Sequence, residues 1–308
     1  MRILMDNDIR ELMPMGDAIG VMENAFRDRA QGQMVSPPRE GIQTGKAGLV
    51  WTPGGLLSTH VLGLRVYLTG VERNEQLVAA WDSQNGSLLG LAIGSYLGKL
   101  RTGAIGGLAM ASLSQGDAGV VGVVGFGEQA WFQVEAALAV RPITQVVAYR
   151  RDRKALETLV ERARQAWGVA VVAADSPQEA VQSADIVITA TDSSTPVIES
   201  SWLKPGAHVN ALGPKQVSRS ELDPGIAEDV GEIVSDFPEQ YLSDPNFLWQ
   251  GTRHAKRLQD LAGLIAAGWS RTSEAKTLFL SHGLAGTEVR LLQTVLTRAA
   301  LNGRGVRV

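Results

Sequence analysis

The 308-residue chain has no cysteine and only four histidines. Without thiols it can build no disulfide framework, zinc finger, iron–sulfur cluster or cysteine nucleophile, and four dispersed imidazoles offer little for a metal site. Neither sign of charge is in excess. The 29 Lys and Arg against 32 Asp and Glu leave a formal charge of −3, which removes the electrostatic drive for sequence-independent binding of nucleic acid. No apolar run approaches the roughly 20 residues that a bilayer crossing requires. Residues 1–10 carry four charges and lack an apolar core of secretory length, so a cytoplasmic enzyme is expected. At roughly 100–200 residues per domain, the length gives two domains.

What is present is a change of texture along the chain. Residues 7–31 place Ile9, Leu12, Met13, Ala18, Val21, Met22 and Phe26 at helix-like spacing, with Pro14 as a break,. From about 34 to 90 short β-type runs follow, at 48–51, 61–68 and 77–81. Asn85-Gly86, between two apolar runs, signals a hairpin because both residues tolerate positive φ,. A helix rich in small residues is expected over 96–114, then a hydrophilic break. Beyond it, strands at 119–124, 145–149, 169–173, 185–190, 207–211 and 230–235 interleave with helices at 129–140, 152–167 and 177–182. Parallel strands need long crossovers, so this alternation predicts βαβ units. The expected fold class is α/β. A Rossmann-type doubly wound parallel sheet spans 116–286, and an α+β domain spans 1–115, to which an amphipathic helix within 287–308 returns.

Residues 120–130 place G-x-G-x-x-A directly after an apolar strand and at the start of a helix. Gly125 allows the tight turn, Gly127 lets backbone amides approach a pyrophosphate, and Ala130 allows close helix–strand contact. The helix N-terminus, with Glu128 and Gln129 in its first turn, offers N–H groups and a partial positive charge to the phosphates. The second strand ends at Tyr149, 22 residues after Gly127. There an NAD enzyme carries Asp or Glu against the ribose hydroxyls; this chain carries Arg150, followed by Arg151. Paired guanidinia suit a 2′-phosphate and a carboxylate repels it, so NADPH is the expected cofactor, with NADH possible. The polar end of the 184–197 run adds Ala190, Thr191, Asp192 and Ser193 as nucleotide contacts.

These motifs belong to a longer pattern. Pro38-Arg39, Leu100-Arg101-Thr-Gly-Ala104, the glycine turn at 122–130, the 184–197 run, the 203–213 segment with its Asn210 and Gly213, Glu221-Leu-Asp223 and Phe279-Leu-Ser-His-Gly283-Leu-Ala285 occur in order over nearly the whole chain. Together they resemble the ornithine cyclodeaminase/mu-crystallin family. The resemblance implies a homodimer whose first domain, joined by the C-terminal helix, forms the dimer interface and much of the substrate pocket. It also implies a cyclodeaminase, an alanine dehydrogenase or an NAD(P)H-dependent ketimine reductase. Arg39 matches the family arginine that holds the substrate carboxylate and Arg101 a second cation of that pocket; Gly213 and His282 join the cofactor contacts. A planar two-pronged donor is what the carboxylate of a 2-amino or 2-imino acid needs.

Two departures bear on the reaction. Arg65 stands where the family commonly has an active-site Lys, and Lys215 stands where cyclodeaminases carry a catalytic Asp six residues before Glu-Leu. Lys215 would repel an ammonium group, so ornithine is a poor substrate and an anion a better one. The expected reaction is hydride transfer from NADPH to the C=N carbon of a 2-imino carboxylate, giving an L-amino acid. Arg39 and Arg101 would anchor the carboxylate, and Arg65 would stabilise it or a second acidic group. Lys215 would protonate the nascent amine once burial lowers its pKa. The number of cations favours a dicarboxylic imine such as iminosuccinate. The alternatives are an NAD-dependent ornithine cyclodeaminase or alanine dehydrogenase, and a non-catalytic NADPH- or ligand-binding protein. His208 is expected to be structural.

Overall fold

In the computed structural model, residues 1–72, 75–269, 271 and 274–308 are described. They form two compact units, Met1–Ala104 with Leu284–Val308, and Ile105–Gly283.

The first unit opens with β1 (Arg2–Met5), α1 (Asp6–Leu12) and α2 (Met15–Ala30). Pro14, at φ −66°, ends α1 and is the N-cap of α2, as a residue without an N–H must. The strands β2 (Met34–Val35), β3 (Glu40–Thr44), β4 (Ala47–Leu56), β5 (Val61–Thr69), β6 (Gln76–Asp82) and β7 (Leu88–Ile93) follow. They pair antiparallel, with β1 added parallel to β7. The Asn85-Gly86 turn does join β6 to β7: Gly86 has φ +75°, and the Asp82 carboxylate accepts from the Gln84 N–H and the Asn85 amide. The run expected to end at Trp51 continues through Pro53. On one side of β4, β3 last pairs at Trp51 and β2 first pairs at Gly55, so Pro53 falls between partners where no N–H is needed. The unit boundary lies within α3 (Tyr96–Leu113); its first amide, Tyr96, and that of Ser95 just before it donate to the Asp6 carboxylate.

In the second unit β8 (Val120–Val124), β9 (Gln145–Tyr149), β10 (Ala170–Ala173), β11 (Ile186–Thr189) and β12 (His208–Ala211) alternate with α4 (Glu128–Val140), α5 (Arg153–Trp167) and α6 (Pro177–Val181). These lie within a residue or so of the ranges expected from the sequence. Local chemistry explains the precision: Asp152 caps α5 by accepting from Ala155, Gly168 closes it at φ +67°, and Ser176 with Pro177 starts α6,. The hairpin of β13 (Lys215–Gln216) and β14 (Arg219–Ser220) comes next. After it come α7 (Ile226–Asp229), β15 (Val230–Ser235), α8 (Pro238–Ser243), β16 (Leu258–Asp260), α9 (Leu261–Ala266) and β17 (Lys276–Leu280). The main sheet is parallel throughout, in the order β10-β9-β8-β11-β12-β17-β15-β16. The strand order reverses between β8 and β11, which opens a crevice at the carboxyl ends of the strands. The α/β class and doubly wound sheet expected from the sequence are those the chain adopts.

The chain then returns to the first unit with α10 (Thr287–Leu301) and β18 (Val306–Arg307). Val289, Leu292, Val295 and Ala299 form the buried stripe of α10, which packs on β4 to β7 and on α2,. Among the described residues no helix is long and apolar enough to cross a membrane.

Candidate active site

The carboxyl end of β8 leads into a turn at Gly125, φ +92°, where a Cβ would lie 2.6 Å from both the Ala190 carbonyl oxygen and a Thr191 methyl. Only glycine fits. Phe126 anchors the turn from below, fully buried, with its ring centroid 6.3 Å from Trp131 and 6.0 Å from Trp167. Gly127 is the N-cap of α4, without a side-chain cap, and a Cβ there would meet nothing within 4 Å. The turn opens on a cleft of about 960 Å³.

Gly125 and Gly127 line this cleft, as do Arg150 and Arg151 after β9 and Ala190, Thr191, Asp192 and Ser193 after β11. Glu128 and Gln129 are exposed on the first turn of α4, with Ala130 buried beneath; Gly213 and His282 lie outside the lining, after β12 and β17. Pro177, Trp202 and Asp223 also line the cleft. No local motif marks the first two, which arrive from the segments after β10 and β11. Arg150 is half-buried and donates to the Phe126 carbonyl at 3.3 Å. Arg151 is exposed and 3.9 Å from an equally exposed Asp192, a contact of little energetic weight. A bare glycine turn, an uncapped helix start and a cation at the end of the second strand fit a dinucleotide.

In the sequence Glu221 served only as a landmark. It is fully buried and accepts from the Thr189 hydroxyl at 2.8 Å, the Thr191 N–H at 2.9 Å, the Thr191 hydroxyl at 2.8 Å and the Gly213 N–H at 2.6 Å. One carboxylate thus ties the ends of β11 and β12 together. Lys215 is buried nearby, its Nζ donating to the carbonyls of Gly213 at 2.6 Å and Ser281 at 3.3 Å. Burial brings its pKa down to about 8, against the opposing pull of Glu221 and Asp236,. Asp236, buried after β15, accepts from the N–H groups of His282 and Gly283 at 2.8 Å each, which fixes the loop after β17. The His282 ring meets Tyr241 edge-on at 4.7 Å.

His208 is structural, as expected. It is fully buried, with Nδ1 2.8 Å from the Thr277 hydroxyl and Nε2 2.7 Å from the Asn210 amide oxygen. Asn210 spends its N–H groups on Gly106 and Gln133, so its oxygen must accept, which assigns the proton to Nε2. Nδ1 is left without a proton beside the Thr277 hydroxyl, whose own proton goes to the Leu113 carbonyl at 2.9 Å. Burial depresses the pKa to about 3 and the ring is neutral.

In the first unit the structure brings Arg65, on β5, and Arg101, on α3, onto one carboxylate oxygen. Oε1 of Glu288, in the first turn of α10, accepts from Arg65 Nη1 at 3.0 Å and from Arg101 Nη2. Arg65 also donates Nε to Gln76 at 2.9 Å and stacks 4.2 Å over the Tyr67 ring,. Burial lowers the Arg65 pKa, with Glu288 opposing; a guanidinium nevertheless stays charged. For Glu288, burial pushes the pKa up, but Arg101 and then Arg65 outweigh it and hold the carboxyl below its ordinary value. Arg39 stands on the exposed stretch entering β3. The surplus of cations counted from the sequence therefore needs correction: Arg65 and Arg101 share a buried counter-charge, and Lys215 feels two carboxylates. Glu288 carried no sequence signal, because acidic residues are ordinary in the first turn of a helix.

The family model for ornithine cyclodeaminase/mu-crystallin matches residues 1–302. The chain belongs to this family. Among family relatives, a Delta(1)-pyrroline-2-carboxylate reductase of Bacillus cereus is 28% identical over 326 residues, covering 100% of this chain and 99% of its own. Among solved structures, the Delta(1)-pyrroline-2-carboxylate reductase of Thermococcus litoralis, in complex with NADH and L-proline, matches with a TM-score of 0.91 and 26% identity over 100% of both chains. An archaeal alanine dehydrogenase dimer with bound NAD matches with a TM-score of 0.89 and 27% identity, over 100% of this chain and 98% of its own.

Proposed function

We propose that this protein is an NADPH-dependent imine reductase that converts a 2-imino carboxylate to an L-amino acid. It is an NAD(P)-dependent oxidoreductase; the imine substrate, the preference for the phosphorylated cofactor and the roles of single residues are the proposal. The observation that carries the reaction is Lys215, a buried ammonium at the carboxyl edge of the nucleotide-binding sheet with a pKa near 8. It stands where a cyclodeaminase would need an acidic residue. Reduction of C=N requires a proton at nitrogen as hydride reaches carbon, and an acid whose pKa lies near the working pH delivers one efficiently.

When bound, the cofactor supplies the hydride. Gly125 and Gly127 admit its pyrophosphate, and Arg150, with Arg151 beside it, holds the 2′-phosphate. Glu221 keeps Thr191 and Gly213 in place around the cofactor. Arg101 and Arg65 bind the substrate carboxylate, with Arg39 as a further cation, and Lys215 passes a proton from Nζ to the amine nitrogen, then regains one from water. The first unit is assigned the substrate and dimer roles. A homodimer is supported by the alanine dehydrogenase dimer and by Ile42, Leu62 and Leu68, large apolar side chains left exposed on the first unit's sheet,.

The test is NADPH and NADH oxidation against a panel of 2-keto acids with ammonia and of preformed cyclic imines. Turnover of an imine with a preference for NADPH is expected. A folded, nucleotide-binding sample that reduces no imine would overturn the reading.

A further inference from the structure

We infer that Glu288 determines substrate charge: by sharing one oxygen between Arg65 and Arg101 it sets their net charge to one and restricts the site to monocarboxylic substrates. This rests on the reductase reading for its substrate and on the geometry of the first unit alone for its basis.

The carboxylate is placed by close approach of helix and sheet. A Cβ at Gly54 would lie 2.2 Å from the Gly286 Cα, and one at Gly63 would lie 2.9 Å from a Val289 methyl. Gly286 is itself the N-cap of α10 at φ +85°. Two bare strand positions therefore let the start of α10 sit directly on β4 and β5, which puts Glu288 against Arg65. The helix start favours a negative charge there, and both guanidinia favour its ionised form.

Two guanidinia and one carboxylate sum to a single positive charge. One substrate carboxylate neutralises it. A second carboxylate would bring an uncompensated negative charge next to a buried Glu288, an arrangement that low-dielectric surroundings penalise. Arg39, being exposed, is screened by solvent and offers a weak remedy,. The shared oxygen has a second effect: it fixes both guanidinia relative to one another, so their other N–H groups present a fixed direction to a ligand.

The experiment compares kcat/KM with NADPH for monocarboxylic imines (pyruvate with ammonia, and 1-pyrroline-2-carboxylate) and for the dicarboxylic imine of oxaloacetate with ammonia. At least a tenfold preference for the monocarboxylic class is expected. Glu288→Gln, which keeps an acceptor and removes the charge, should shrink that preference at least tenfold, mainly through the KM of the dicarboxylic imine, and Glu288→Asp should retain it. A wild-type preference for the dicarboxylic imine, or a folded Glu288→Gln variant with the ratio changed less than twofold, overturns the inference. Calorimetry of propionate and succinate binding to the wild-type protein with NADPH is an independent test if the variant does not fold or no imine is reduced: propionate binding more tightly supports the charge rule, and succinate binding as tightly as propionate overturns it. Absence of all imine turnover overturns the reductase reading instead.

Discussion

Replacing Arg150 by Glu should reverse the cofactor preference. The side chain follows β9, lines the nucleotide cleft and is half-buried. A hydrogen bond to a charged partner contributes about 1.5–3 kcal/mol; partial exposure argues for the lower end, about tenfold in affinity. The substitution also puts a carboxylate where a guanidinium stood. Facing a phosphate at about 4 Å, it would add roughly 1 kcal/mol of repulsion in water and about 4 kcal/mol at an effective dielectric of 20. Loss and repulsion together predict a fall of at least 50-fold in NADPH affinity. NADH, which places two neutral hydroxyls there, should change less than threefold or gain a partner. Arg151→Ala should lose less than fivefold, since Arg151 lies in solvent. The assay is titration of both cofactors into wild type and variants at physiological salt, with KM values in parallel. If Arg150→Glu leaves the NADPH:NADH affinity ratio within twofold of wild type, Arg150 does not read the phosphate.

The rate of imine reduction should fall above about pH 8 as Lys215 loses its proton. Lys215→Met should lower kcat about 100-fold or more and abolish that limb of the profile while leaving cofactor KM within twofold. His208 makes stability sensitive to acid: below pH 6.5 the unfolded imidazole takes a proton that the folded one refuses until about pH 3. Stability therefore drops as pH falls through that window, by about 2 kcal/mol at pH 5. Denaturation at pH 7.5 and 5 should show a pH effect smaller by this amount in His208→Gln, and an equal effect in both proteins would refute the assignment. Gly54→Ala should force α10 away from β4 and lower the melting temperature by roughly 5–10 °C; an unchanged melt would contradict the close packing that positions Glu288.

Local chemistry made much of the fold legible. The Asn85-Gly86 turn, the Asp152 cap, the Gly168 stop and the Gly125 turn each carry their own physical reason within a few residues. What the sequence concealed depends on distant partners. The strand β1 exists through pairing with β7 and β18, and β3, exposed along its length, pairs only with β4 among the described residues. The strands β16 and β17 lay beyond the clear alternation and extend the sheet through β15 and β12. The site divides the same way. The glycines and Arg150 were readable because a local motif fixes them, as was burial of Lys215 as a condition for its proposed role. Glu221, Asp236 and Glu288 were not, because a buried carboxylate's function lies in the donors that converge on it, and most of these come from residues 8 to 223 positions away.

In the proposed reaction hydride passes from a dinucleotide seated on the Gly125 turn to the carbon of a C=N bond. This transfer is tested most directly with NADPH deuterated at C4 of the nicotinamide, an imine substrate and mass spectrometry of the amino acid formed. Deuterium should appear at Cα of the L-amino acid when the label occupies the transferred face, in amounts matching the cofactor consumed. Cofactor oxidation that leaves the product unlabelled from either face of the nicotinamide would contradict the claim.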